Sequence, residues 1–153
     1  MLLVLVLLAL SLGSLAPVSS LPAACPLLVP TSFTISRFST FTPSGTNPTP
    51  AQISFSYSDD AGLASSTCLL QGATETSGGP VVCANSDISF EFTGAHGLLV
   101  RERLAGCDGT ATTLKGEIYV GTYCYPSPAG VPLGVGTSCQ TTSVSLGGSL
   151  MLV

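Results

Sequence analysis

Apolar and polar residues alternate along most of this chain, and no run repeats its apolar residues at the 3.6-residue period of a helix. Phe33 and Ile35 alternate with Thr34 and Ser36, and Ile53, Phe55 and Tyr57 with Ser54, Ser56 and Ser58. The same pattern returns in Ile88-Ser89-Phe90-Glu91-Phe92, in Ile118-Tyr119-Val120-Gly121 and in Val144-Ser145-Leu146. Period-two runs rich in aromatic and β-branched residues predict strands with one buried face. Leu98-Leu99-Val100-Arg101-Glu102-Arg103-Leu104 alternates less cleanly, but its position between turn signals predicts a further strand.

Turn chemistry separates these runs. The segment Thr42 to Pro50 carries Pro43, Pro48 and Pro50, which remove ladder donors and predict a loop. Asp59-Asp60-Ala61-Gly62, Thr93-Gly94-Ala95-His96-Gly97 and Cys107-Asp108-Gly109 read as tight connections, and Tyr125 to Pro132 as a longer surface excursion. Seven or eight short strands spaced in this way predict an all-β domain, a single compact antiparallel β-barrel or sandwich.

The amino-terminal end departs from the pattern. Leu2 through Leu12 is a nearly unbroken apolar run, too short to span a bilayer, followed by the small residues Val18-Ser19-Ser20. This predicts a cleaved signal peptide over residues 1–20, although no Lys or Arg precedes the apolar run, and a single domain over residues 21–153. The expected location is therefore secreted and extracellular. About 130 residues would remain, enough to bury a core of their own.

Six cysteines, Cys25, Cys68, Cys83, Cys107, Cys124 and Cys139, all follow the leader. An even count in a short exported chain reads as a disulfide framework. Six cysteines allow fifteen pairings, and sequence alone does not choose among them. The intervals Cys68 to Cys83 and Cys124 to Cys139 are equal. Pairing across them would close two short excursions, each removing unfolded-state entropy of about 3 kcal/mol. Cys25 and Cys107 remain. An internal bond between them is favoured, with a bond from Cys25 to a second chain as the alternative, so monomer and dimer both stay open.

Charge removes whole classes of partner. The net charge is −4 and the cations are Arg37, Arg101, Arg103 and Lys115. Nucleic acid and anionic membrane need clustered Lys and Arg, so neither is expected once the leader is cleaved. A catalytic site is equally poorly supplied. The single histidine, His96, sits in a turn with no Gly-x-Ser-x-Gly elbow elsewhere. With the thiols claimed by disulfides, no metal site and no cofactor are expected. Two facing carboxylates would suffice for a glycosidase, and Asp59, Asp60, Asp87, Glu91, Glu102, Asp108 and Glu117 are available. The turn aspartates are better explained by local hydrogen bonds. Glu91, Glu102 and Glu117 read as outward strand positions paired with Arg101, Arg103 and Lys115. Tyr119, Tyr123 and Tyr125 fall on one parity, opposite Ile118 and Val120 if the strand stays regular, and form a candidate partner-binding stripe. Pairing with neighbouring strands, or covering loop backbone, is the plainer role for them.

The order of these features resembles that of a known family. An exported leader and early Cys25 precede the strands Ser32 to Ser36 and Ile53 to Tyr57; then come Cys68 and Cys83, the segment Ser86 to Phe92, Cys107-Asp108-Gly109, and Cys124 with Cys139. The chain is similar to the Alternaria major-allergen-like family of small secreted fungal proteins, which also includes elicitors of plant defence. The resemblance implies a compact β-barrel with the pairs Cys68–Cys83 and Cys124–Cys139. It also implies a non-enzymatic effector or allergen-like protein that acts outside the cell by binding a plant defence protein. Cys25 matches the position that the founding type uses for a covalent dimer, but the sixth thiol at Cys107 sets this chain apart. A carrier of a small apolar or phenolic ligand is the first rival reading, and a carboxylate-based carbohydrate-active enzyme the second.

Overall fold

The computed structural model describes residues 28–76, 79–93, 96–106 and 109–153. The expected signal peptide, Cys25, Cys107 and Asp108 lie outside the described residues.

Eleven strands and no helix make up the described chain: β1 Ser32–Pro43, β2 Gln52–Asp59, β3 Ser65–Gln71, β4 Val81–Val82, β5 Ile88–Phe92, β6 Gly97–Ala105, β7 Ala111–Tyr119, β8 Thr122–Ser127, β9 Gly136–Thr141, β10 Ser145–Ser149 and β11 Met151–Leu152. One antiparallel sheet runs β3-β2-β1-β9-β8, with β10 also on β1. The other runs β11-β7-β6-β5-β4. The all-β expectation holds. Of its two forms the structure is the open one, two facing sheets that no continuous ladder closes into a barrel.

The alternating positions meet between the sheets. Phe33, Ile35 and Phe38 of β1 and Ile53, Phe55 and Tyr57 of β2 face Ile88, Phe90 and Phe92 of β5 and Leu98, Val100 and Leu104 of β6. The rings interlock, with Phe55 edge-on to Phe90 at 4.9 Å and Phe38 tilted on Phe92 at 5.1 Å, in the offset geometries that aromatic quadrupoles favour. Phe33 is buried between the glycines of the two sheets, Gly116 of β7 and Gly148 of β10. A Cβ added at Gly148 would lie 2.5 Å from its ring, so β10 needs glycine at that position.

Two features tie the sheets together at their margins. The last stretch of chain pairs with β1 through Ser149 and with β7 from Met151, crossing between sheets at the buried Leu150. At the opposite margin Cys68 of β3 bonds Cys83, whose amide belongs to the β5 side through Ile88 O. That disulfide therefore joins the two sheets. Cys124–Cys139 instead links directly opposed residues of β8 and β9 within one sheet. Equal sequence intervals hide different mechanical roles.

Strand β1 is irregular. Its register on β2 shifts between Ser36 and Ser39, and Arg37 takes φ 56, a left-handed conformation rare outside glycine. The extra residue of this bulge brings Phe38 onto the core face three positions after Ile35. It also divides β1 between two partners: Ser32–Ser36 pair with β10, and Ser39–Pro43 with β9. The strand forks the sheet.

Candidate functional site

The tyrosine stripe is not continuous. Tyr119 ends β7 in one sheet, and Tyr123 and Tyr125 lie on β8 in the other. The chain changes sheets at Val120, which is buried and donates its amide to His96 O, so the regular strand assumed from the alternation stops there. Tyr119 is 69% exposed and meets only the His96 ring among aromatic neighbours, edge-on at 5.6 Å. It belongs to a separate surface from the other two.

Tyr123 and Tyr125 do share a face, the outer one, with ring centroids 5.9 Å apart and exposures of 44% and 40%. Residues opposed in register lie on the same side of a sheet, which places Tyr123, Gln140, Ser39 and Ser54 in one row across β8, β9, β1 and β2. Two contacts hold this row. The Gln140 amide donates to the Tyr123 hydroxyl, and the Ser39 and Ser54 hydroxyls bond each other at 2.9 Å. Where β9 and β10 part on either side of the β1 bulge, a groove of about 430 Å³ opens, and its lining includes Arg37, Ser39, Tyr123, Gln140, Thr141 and Ser143. Val144, expected to alternate inward with Leu146, instead stands at the groove's rim with 87% of its surface exposed. It lies in the connection between β9 and β10, ahead of the strand.

Next to this row the same face is closed. Phe41 shares the outer parity of Ser39 yet is only 1% exposed. Gly136 lies against its ring, since a Cβ there would fall 2.6 Å from Phe41 Cε2. The Pro-rich excursion after β8 is secured to the Thr42–Pro50 loop by Asn47, whose Nδ2 donates to Leu133 O at 2.8 Å and Val135 O at 2.7 Å, and by Ser44 N donating to Val135 O. The expected surface excursion thus caps an aromatic residue and leaves the tyrosine pair and groove beside it.

One acidic residue defies its expected place. Glu102 was expected on the solvated face, but it is fully buried at 0% exposure between the sheets. Its register partners are the buried Ile88 and Leu114, and Leu98, Val100 and Leu104 share its face. Across the interface the Tyr57 hydroxyl donates to Oε2 at 2.5 Å, while Oε1 finds no partner as an acceptor. Burial raises the Glu102 pKa above the ordinary carboxylate value; the Tyr57 hydrogen bond opposes this, and the neighbouring Asp59 carboxylate adds to the rise. Retaining a proton converts Oε1 from an acceptor lacking a donor into a donor beside the Asp59 carboxylate. Burial chiefly, and then Glu102, hold the Tyr57 hydroxyl well above its usual range, so it stays protonated.

The remaining acids have structural partners. Asp59 accepts from Leu63 N at 3.0 Å and Ala64 N at 2.6 Å, closing the turn after β2. Asp60 accepts from Thr31 Oγ1 at 2.7 Å and Thr31 N at 3.0 Å; the Thr31 hydroxyl foremost lowers its pKa to about 2. Glu91 pairs with Arg101 at 2.5 Å, as the sequence suggested. Among the described residues Asp59 is the carboxylate that most affects Glu102, and the full burial of Glu102 closes that pair to a sugar chain. His96 takes φ 64 in its turn and meets Tyr119 edge-on. Among the described residues no three His, Cys, Asp or Glu side chains gather to hold a metal, and no helix is long and apolar enough to cross a membrane.

No family model matches the chain, and no curated protein matches it in sequence. Solved structures do. One crystal structure of the major allergen Alt a 1 of Alternaria alternata superposes with a TM-score of 0.58 at 20% identity, covering 80% of this chain and 94% of the allergen. A second crystal structure of the same allergen gives 0.59 at 21% identity, covering 86% and 97%. Across most of its length, this chain has the fold of the Alternaria alternata allergen Alt a 1.

Proposed function

We propose that this chain is a secreted, non-enzymatic binding protein of the allergen and effector type, acting outside the cell on a plant defence protein. The observation that carries this reading is the division of its chemistry. The interior is filled by interlocked rings and holds the Asp59–Glu102 carboxylate pair out of reach, whereas the tyrosine pair of β8 lies open on the outer sheet face. Large, stiff side chains that can hydrogen-bond make good anchors at protein contacts. Two closed disulfides and an apolar leader suit an oxidising, extracellular setting. The fold shared with an allergen supports the same direction.

The test uses the secreted chain with its disulfides intact. Immobilised protein is exposed to plant extracellular fluid beside a Tyr123→Ala/Tyr125→Ala variant of equal stability. A defence protein that binds the parent saturably, and the variant at least about tenfold more weakly, supports the reading. Equal binding by both removes the tyrosine face from it. Turnover of a polysaccharide that disappears in Glu102→Gln would replace the binding protein by an enzyme. The packed interior also counts against a carrier that encloses a small apolar or phenolic ligand between the sheets.

A further inference from the structure

The β1 fork has chemistry that a protein contact does not require. We propose that its groove binds an acidic saccharide, a uronate whose carboxylate meets Arg37 and whose ring lies over Tyr123. It shares Tyr123 with the proposed protein contact but does not require that partner.

The first observation is backbone strain. Arg37 holds φ 56 at a position where glycine would sit without penalty. A non-glycine residue in this conformation costs on the order of 1 kcal/mol, and such outliers concentrate at ligand sites. The second is charge. Among the described residues Arg101 is paired with Glu91, and no ion pair joins Arg37, although the chain carries a net charge of −4. An anionic ligand would be the counter-ion that the protein does not supply. One guanidinium fork matches one carboxylate. Polyanions such as nucleic acid need several cations in a row, and none stands beside it in the groove lining.

The third observation is the character of the walls. Ser143 brings a hydroxyl and Gln140 a side-chain amide that can donate to and accept from ring hydroxyls, while Thr141, whose hydroxyl donates to Ser143 O, and Ser39, bonded to Ser54, keep lone pairs that can accept. Tyr123 is held at its hydroxyl by Gln140 and along its ring by the tilted Tyr125 ring, so its position is restrained before any ligand arrives. The weakly positive C–H face of a sugar ring suits that negative π face, and the walls set these polar groups beside the apolar Phe38 and Val144, a mixture that matches the two kinds of surface on a sugar. The groove volume, about 430 Å³, lies within the usual range of small-ligand clefts and suits one or two sugar rings.

The test titrates galacturonate and its trimer into the full disulfide-bonded chain by heteronuclear NMR and calorimetry, with galactose as the neutral control. Saturable uronate binding with shifts at Arg37, Tyr123 and Gln140, weakened by salt and absent for galactose, is the expected result. Arg37→Ala should weaken it at least about tenfold, the loss of one charge-assisted pair. Arg37→Gly separates binding from folding, because glycine accepts φ 56: the variant should fold as well as the parent and still lose the uronate. No saturable binding by the parent, equal binding of galactose and galacturonate, or unchanged binding in Arg37→Gly would each overturn the proposal.

Discussion

Two polar sites on opposite sides of the same sheet use their polar groups in contrasting ways. Between the sheets, Tyr57 and Glu102 are sealed among Ile88, Leu114 and the aromatic core, so every unmet hydrogen bond there carries its full desolvation penalty. On the outer face, Arg37, Tyr123 and Gln140 remain in contact with water, and losing one partner means exchanging it for solvent. The sealed site therefore governs stability and its dependence on pH. The open one is free to govern recognition.

Truncation should separate them most strongly. Glu102→Ala strands the Tyr57 hydroxyl and leaves a cavity, so urea unfolding should show a loss of about 3 kcal/mol, against less than about 0.5 kcal/mol for Arg37→Ala. Comparable losses at the two positions would break the distinction. Removing Cys68 and Cys83 together should cost about 3 kcal/mol on chain-entropy grounds and loosen the two sheets at that margin. Hydrogen exchange should quicken in β3, β4 and β5 there, and only in β8 and β9 when Cys124 and Cys139 are replaced.

The pH dependence follows from the same burial. Glu102 has a raised pKa in the folded state, so the folded chain binds more protons than the unfolded one above the unfolded carboxyl's pKa near 4.5. Its contribution is complete below that value and falls as pH rises from there to the folded pKa, with a slope of up to about 1.4 kcal/mol per pH unit. Asp60 works in the opposite sense. Its folded pKa is lowered to about 2 from 3.8, so its contribution is present above 3.8 and lost as pH falls through about 2. Melting temperatures should thus be highest in mildly acidic solution, and Glu102→Gln should flatten the decline on the alkaline side. A decline unchanged in Glu102→Gln would place its origin elsewhere. A small effect of opposite sign belongs to Arg37→Gly: relief of the left-handed backbone, partly offset by the greater unfolded-state freedom of glycine, should give a gain of about 0.5 kcal/mol.

Much of the sheet-forming pattern was legible in the sequence. The Phe33, Ile53 and Ile88 runs became strands with their apolar parity inward because a sheet face can be buried only with that period. Strands with weaker patterns were harder to see. Ser65–Gln71 and Gly136–Thr141 are mostly polar, and they pair through backbone bonds that carry no hydrophobic signature. Glu102 was misplaced although a signal existed. Leu98, Val100, Glu102 and Leu104 keep one parity, but the run Arg101-Glu102-Arg103 reads as a solvated charge pattern unless Tyr57 is known to lie opposite. The tyrosine stripe failed for another reason: alternation has no mark for a strand that leaves its sheet, as this one does at Val120 and Gly121.

Alternation of apolar and polar residues by itself determined that this chain forms strands with a shared aromatic core, because burying one face of a strand demands period two. Tertiary structure alone decided which sheet each strand joined, that Cys68–Cys83 bridges the sheets, and that Glu102 faces Tyr57 while Arg37 borders an open groove. Those outcomes depend on contacts between residues far apart in the chain. A local pattern specifies which side of a strand is buried, but not what it is buried against.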